Sequence, residues 1–225
     1  MDQELILNQY KLIVQNIQKT AEKAKRDAKN INLLAVSKFQ EVNKIIPLLE
    51  NGHCHFGESR VQEAKSKWID LKKIYPQAVL HLIGPLQTNK VKDAIQLFDI
   101  IETLDREKLA EKIADELRKT GKNPTIFIQV NIGKEIQKSG IAPEDLEMFL
   151  NKCRNDYALD IKGLMCIPPA GEDSVKYFLD LYNLAQKNGL EEISMGMSND
   201  YQEAILSGAT QVRVGSLLFG KRNYT

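Results

Sequence analysis

Three stretches of this chain carry side chains whose chemistry goes beyond packing. The first is Lys38, which follows Ser37 and the apolar run Leu33-Leu34-Ala35-Val36. At the end of a buried strand a lysine amine is partly desolvated. Desolvation disfavours the ammonium, so more of the amine is free to attack an aldehyde and form a Schiff base. The competing reading is a solvated surface charge, since most lysines are exposed. The second stretch is Ser194-Met-Gly-Met-Ser198-Asn-Asp200, and the third is Arg213-Val-Gly215-Ser216. Glycines let backbone N–H groups come close to a phosphate. Ser198 and Ser216 can donate hydroxyl hydrogen bonds, and Arg213 brings a fixed, planar cation. Gly and Ser are also ordinary turn residues, so neither loop is specific alone.

The elements that would bring these stretches together alternate between apolar extended runs and amphipathic helices. Strands are expected at 32–36, 54–56, 79–83, 99–102, 125–130, 161–165, 192–195 and 210–214. A leading helix over 5–28 has Ile6, Tyr10, Ile13, Ile17, Ala21, Ala24 and Ala28 on one face. Further stripes are Val61, Ala64, Trp68, Leu71, Tyr75, then Leu109, Ala110, Ile113, Ala114, Leu117, then Val175, Phe178, Tyr182, Ala185. Asn51-Gly52, Gly121, Asn188-Gly189 and Gly208 mark helix stops, and Asp200 with Glu203 has capping-box spacing. Eight strands with crossover helices fit an α/β fold, a closed (β/α)8 TIM-type barrel forming a single domain over residues 1–225. Only about ten residues follow the eighth strand, so the leading helix is expected to serve as the eighth cover. An open doubly wound sheet is the rival. In the barrel, sites lie at the C-terminal strand ends, and the loops after strands seven and eight commonly hold phosphate. Lys38 and both Gly/Ser loops fall there.

Other classes are disfavoured. Lys and Arg number 31 against 30 Asp and Glu, a net charge of +1. No single-sign field is present to recruit nucleic acid or anionic lipid, and no nucleic-acid or membrane partner is expected. The start Met1-Asp2-Gln3-Glu4 lacks a basic, apolar leader, and the three cysteines form no disulfide or CxxC pattern. A cytoplasmic location is the expectation. His53-Cys54-His55 suggests a metal site, yet in a strand residues 53 and 55 face one way and 54 the other, so no metal is expected. His81 reads as a satisfied core histidine. Glu58 and Glu102 sit near strand ends with nothing to pair them as an acid/base couple. On these residues alone, a sugar-phosphate aldolase or isomerase remains open.

Longer segments carry a resemblance. They are Leu33-Leu-Ala-Val-Ser-Lys38, Phe56-Gly-Glu-Ser-Arg-Val-Gln-Glu63, His81-Leu-Ile-Gly-Pro-Leu-Gln-Thr-Asn-Lys90, and Asn131-Ile through Lys138-Ser-Gly140. Gly163-Leu-Met165, Ser194-Met-Gly-Met-Ser198 and Val212-Arg-Val-Gly through Phe219-Gly-Lys-Arg222 complete them. In this order the segments resemble the pyridoxal-phosphate homeostasis proteins. The resemblance implies a fold type III barrel like the N-terminal domain of alanine racemase. Its cofactor would be pyridoxal 5′-phosphate (PLP), held as a Schiff base on Lys38. Ser198, Gly215 and Ser216 would hold the phosphate, and Arg213 would lie beside the pyridine nitrogen. Where the family usually has asparagine the chain has Ser59, which puts a cofactor contact from that position in doubt. Thr88 and Ser216 are hydroxyl-for-hydroxyl variants. The implied function is carrying or buffering PLP in vitamin B6 and amino-acid homeostasis, with no catalytic residue assigned. PLP-dependent apoenzymes are the implied recipients, and the chain is expected to be a monomer. The alternative is an amino-acid racemase using Lys38 as both base and acid. Racemases of this fold add a β domain with a second catalytic group; with the sequence ending at Thr225, no such domain is expected.

Overall fold

The computed structural model describes residues 3–220. Ile6, Ile13, Ile17 and Ala21 recur at helical spacing and are the buried face of α1 (Gln3–Lys23). The periodicity carries this helix on to residue 28, but the chain leaves it earlier. Lys25 adopts a left-handed φ of 53°. That lets the Arg26 N–H reach Ala21 O and the Lys25 N–H reach Glu22 O, a Schellman closure without glycine. Ala24 and Ala28 therefore lie beyond the helix.

Eight strands follow: β1 (Asn32–Val36), β2 (His55–Glu58), β3 (Val79–Leu82), β4 (Ile100–Leu104), β5 (Thr125–Val130), β6 (Ile161–Cys166), β7 (Glu192–Met197) and β8 (Gln211–Val214). Between them run α2 (Val42–Glu50), α3 (Val61–Ile74), α4 (Val91–Leu97), α5 (Glu107–Thr120), α6 (Leu146–Asn155), α7 (Ser174–Lys187) and α8 (Tyr201–Leu206). The four-residue α9 (Ser216–Phe219) follows β8. Strands covered on both faces read as continuous apolar runs, as in β5, where five successive residues are buried. Each expected strand is present, β1 and β5 with the expected ends and the others with an end displaced by one or two residues. Gly52, Gly121, Gly189 and Gly208 all take positive φ, as helix stops require.

The strands pair in chain order, and β8 returns to β1, closing the barrel. The closing register sets Asn32 beside Gln211, Leu34 beside Arg213 and Ala35 beside Val214, all parallel. The apolar core lies between strands and helices, where Phe56 packs on Trp68 at 4.9 Å between ring centroids. As expected, α1 supplies the missing cover, lying against α2 and α8.

The histidine run behaves differently from the alternation argument, because β2 begins only at His55. His53 lies outside the strand, edge-on to Tyr10 and Phe56, with Nε2 2.8 Å from the His55 carbonyl. His55 turns toward His81, Nδ1 to Nε2 at 3.1 Å. Among the described residues no group of three ligands could hold a metal. Burial lowers both His53 and His55 to about 4, with nearby His81 also opposing charge on each. The unfolded chain protonates these imidazoles near their ordinary value while the folded chain does not. Fewer protons are bound in the native state between about pH 6.5 and 4, so stability falls as pH drops through that window. Thermal unfolding is expected to show a lower Tm at pH 5 than at pH 7, with a shallower drop in His53→Gln. Equal Tm values at the two pH values would contradict this.

Candidate functional site

Closure of β8 onto β1 brings the exits of both strands side by side. Lys38 sits in the turn after β1, and Gly215 and Ser216 follow β8 next to it. Together with the β6 and β7 exits they border a cavity of ≈ 890 Å³, lined by all five nominated residues: Lys38, Ser198, Arg213, Gly215 and Ser216. That volume suits a small cofactor, since ligand pockets run from about 300 to 1,000 Å³.

Lys38 is partly buried, in a turn closed by the Gln40 N–H donating to Ser37 O at 3.0 Å. Phe39, the next residue, takes φ 64°, a left-handed conformation that costs an L-residue about 1–2 kcal/mol. A cluster on β2 and α3 holds the turn in place. Glu58 Oε1 accepts from the Ser37 hydroxyl at 2.8 Å and from Trp68 Nε1 at 3.1 Å. Lys67 Nζ lies 2.7 Å from the same oxygen and 2.9 Å from Glu63, and donates to Ser37 O at 2.9 Å. Glu63 in turn accepts from the Phe39 N–H at 2.5 Å. Burial raises the Glu58 carboxyl above its ordinary value, against the opposing pull of Lys67, Trp68 and Ser37.

Glu58, unassigned in the sequence, is thus a structural anchor beneath Lys38, and Lys67 and Glu63 are its missed companions. The signal for them was present. Glu63 and Lys67 have i,i+4 spacing, and Lys67 interrupts the buried stripe of Val61, Ala64, Trp68 and Leu71.

The second wall forms where β7 turns. Gly196 has φ 84°, and a Cβ there would come within 2.4 Å of Ala204 Cβ, so only glycine fits. The capping box expected from Asp200 and Glu203 does not form. Asp200 makes no side-chain cap, and its Oδ1 instead accepts the Met197 N–H at 2.7 Å, closing the loop that carries Ser198. The Ser198 hydroxyl oxygen is approached by the N–H groups of Gly215 at 3.3 Å and Leu217 at 3.5 Å. A Cβ on Gly215 would crowd Val36, 3.3 Å from its Cβ and 3.4 Å from its carbonyl. A hydroxyl and two backbone donors therefore converge at one corner of the cavity, with exposed Ser216 adjacent. Such a donor set suits a phosphate.

Arg213 reaches the cavity from inside the barrel and is only 4% exposed. Its guanidinium donates to Ser194 Oγ at 2.7 Å and to the Cys166 carbonyl at 2.7 Å. Burial pushes the Cys166 thiol up to about 12, leaving it inert. An amine, a corner of hydroxyl and backbone N–H groups and a buried guanidinium thus share one cavity. These groups match an aldehyde, a phosphate and a ring nitrogen respectively, so the residues present fit PLP.

The match to the family model described as alanine racemase, N-terminal domain, covers residues 10–223. The pyridoxal phosphate homeostasis protein of Haemophilus influenzae is 35% identical over 225 residues, spanning 95% of this chain and 94% of the relative. The chain belongs to the pyridoxal phosphate homeostasis protein family. Among solved structures, one from Bifidobacterium adolescentis superposes with a TM-score of 0.91 at 28% identity, covering 97% of each chain. PipY of Synechococcus elongatus with PLP bound superposes at TM-score 0.78 and 34% identity, covering 91% of this chain and all 100% of PipY.

Ser59, the departure from the family pattern, does not line the cavity; the β3 loop backs onto it, with a Cβ on Gly84 only 2.3 Å from the Ser59 carbonyl. Thr88 opens a short turn before α4 and is likewise outside the cavity wall. Among the described residues no helix is long and apolar enough to cross a membrane.

The clamp beneath Lys38 can be tested by unfolding. Lys67→Met leaves the buried Glu58 carboxylate without its cation and is expected to cost about 3 kcal/mol in urea denaturation. Adding Glu58→Gln should recover part of that loss. A single variant as stable as the parent would contradict the clamp.

Proposed function

We propose that this chain binds PLP in the cavity at the C-terminal end of the barrel, as a Schiff base on Lys38, and serves to carry or buffer it. The observation that carries the reading is the convergence of a partly buried lysine, a hydroxyl-and-backbone anion corner and a buried arginine on one cavity. The names of the relatives and the PLP-bound PipY structure support it.

The bound cofactor supplies an electrophilic aldehyde on an electron-withdrawing ring. Lys38 provides the amine, held at the cavity wall by the Glu58–Lys67 clamp. Ser198 orients toward the phosphate corner, where the Gly215 N–H and the Ser216 hydroxyl complete the donor set. Arg213, a permanent cation, disfavours protonation of a ring nitrogen beside it, because adjacent like charges repel. That restrains carbanion chemistry and favours storage.

The other ionisable groups around the cavity also speak for binding over turnover. Lys138 is paired with Glu135, Glu172 with Lys176 and Tyr177, and Asp200 with the Met197 N–H. Each of these described groups is already engaged by a neighbour, which favours a binding role over that of a second proton carrier. The rim residues Ile167 and Met197 are 36% and 40% exposed, so water reaches the mouth and weakens electrostatic control of a reaction.

Purified protein loaded with PLP is expected to show the visible absorption of a protonated Schiff base, absent in Lys38→Ala. In Ser198→Ala, PLP affinity should fall about tenfold, the cost of one hydrogen bond to a charged group. Full absorption in Lys38→Ala would refute the assignment. Exchange of amino-acid α-protons in D₂O well above the rate with free PLP would favour a racemase instead.

A further inference from the structure

A line of hydrogen-bonded side chains runs inside the barrel from its N-terminal end to the cavity. It begins at His55 on β2, whose Nδ1 lies 3.1 Å from His81 Nε2 on β3. His81 Nδ1 is 2.8 Å from Glu102 Oε1 on β4. The Ser194 hydroxyl on β7 donates to Glu102 Oε2 at 2.6 Å, and Arg213 on β8 donates to Ser194 Oγ at 2.7 Å. The Gln211 amide, also on β8, bonds both Glu102 and Ser194. His81, Glu102 and Ser194 have no exposure to solvent.

Glu102 is the anion of this line. Burial alone would raise its carboxyl, but hydrogen bonding and charge from His81, the charge of Arg213 and the Ser194 hydroxyl outweigh it and hold the carboxyl below its ordinary value. Arg213 forms no direct salt bridge among the described residues, and its other anchor is the neutral Cys166 carbonyl. Its nearest compensation in this line is Glu102, one hydroxyl away. The ionisable or charged groups facing Glu102 are His81 from β3 and Arg213 from β8, with His55 behind His81.

We propose that Glu102 is a positioning residue for the PLP site, fixing the Arg213 guanidinium through Ser194 and balancing its charge. The inference rests on the PLP reading above. With Glu102 ionised, the cavity floor presents an arginine already balanced across one hydroxyl. With the charge removed, Arg213 stands as a bare cation. A bare cation disfavours any second positive charge nearby, including a protonated Schiff base at Lys38. Ser194 contributes geometry and not charge, so its loss loosens Arg213 without the same electrostatic effect.

The test is a pH titration of the visible spectrum and a PLP affinity measurement on full-length loaded protein, with circular dichroism to confirm folding. In Glu102→Gln the midpoint of the bound chromophore is expected to move down by about one pH unit. In Ser194→Ala the affinity should fall about fivefold with a smaller shift of the midpoint, and Ser194→Thr should restore it, the size of one hydrogen bond. Folded Glu102→Gln and Ser194→Ala proteins with parental midpoint and affinity, or with lowered stability alone, would overturn the inference. Should Glu102→Gln not fold, the Ser194 pair decides: loss rescued by threonine supports the proposal, and an unchanged affinity overturns it. A parent protein without a Schiff base at Lys38 would overturn the underlying PLP reading as well. A parental chromophore unaffected in the variants overturns this inference alone.

Discussion

The pairing of β8 with β1 is the constraint on which the site depends. Residues 34 and 213 are distant in the chain, yet the closing register makes Leu34 and Arg213 neighbours. Two residues further along each strand, Val36 and Gly215 approach so closely that a Cβ on Gly215 would crowd the Val36 side chain and carbonyl. The turn carrying Lys38 and the corner formed by Ser198 and Gly215 are thereby fixed against each other. A one-residue slip would turn Arg213 from the inside of the barrel to the helix layer, because successive strand residues face opposite sides. The same slip would remove the guanidinium from the cavity.

Two polar systems stabilise this arrangement from different layers. The Glu58–Lys67–Glu63 cluster lies between barrel and helices and acts on the backbone around Lys38. The Glu102–Ser194–Arg213 line lies within the barrel and acts on the neighbouring wall, at β8. Both place charge where water is scarce, which is tolerable only when the charge is paired and hydrogen-bonded. The first system acts on the site through the backbone around Lys38, and the second through Arg213. The site is thus held in two parts joined by strand closure.

The strand count, the closed barrel and the α1 cover were legible in the sequence, because period-two and period-3.6 patterns and glycine stops are local signals; the five residues that line the cavity were nominated from their strand-end positions and from the family resemblance. Failures occurred where tertiary contacts decide. The end of α1 depends on Lys25 adopting a left-handed turn, for which no glycine gave notice. Asp200 and Glu203 have the spacing of a capping box, but the tight loop after Gly196 draws Asp200 to the Met197 N–H. His53 falls outside β2, so strand alternation does not apply to it. Glu58 and Glu102 appeared unpaired because their partners come from other strands and helices, at sequence separations that no local pattern reports. Lys67 differs: a charged residue beside a buried helical stripe is a local signal visible in the sequence, although it went unassigned there.

The central claim is that one lysine tethers the cofactor. The most direct measurement is borohydride reduction of the PLP-loaded protein followed by proteolysis and mass spectrometric mapping of the pyridoxyl group. Attachment at Lys38, in near-stoichiometric yield, is the result this account predicts. A pyridoxyl group found chiefly on any other lysine, with Lys38 unmodified, would contradict it.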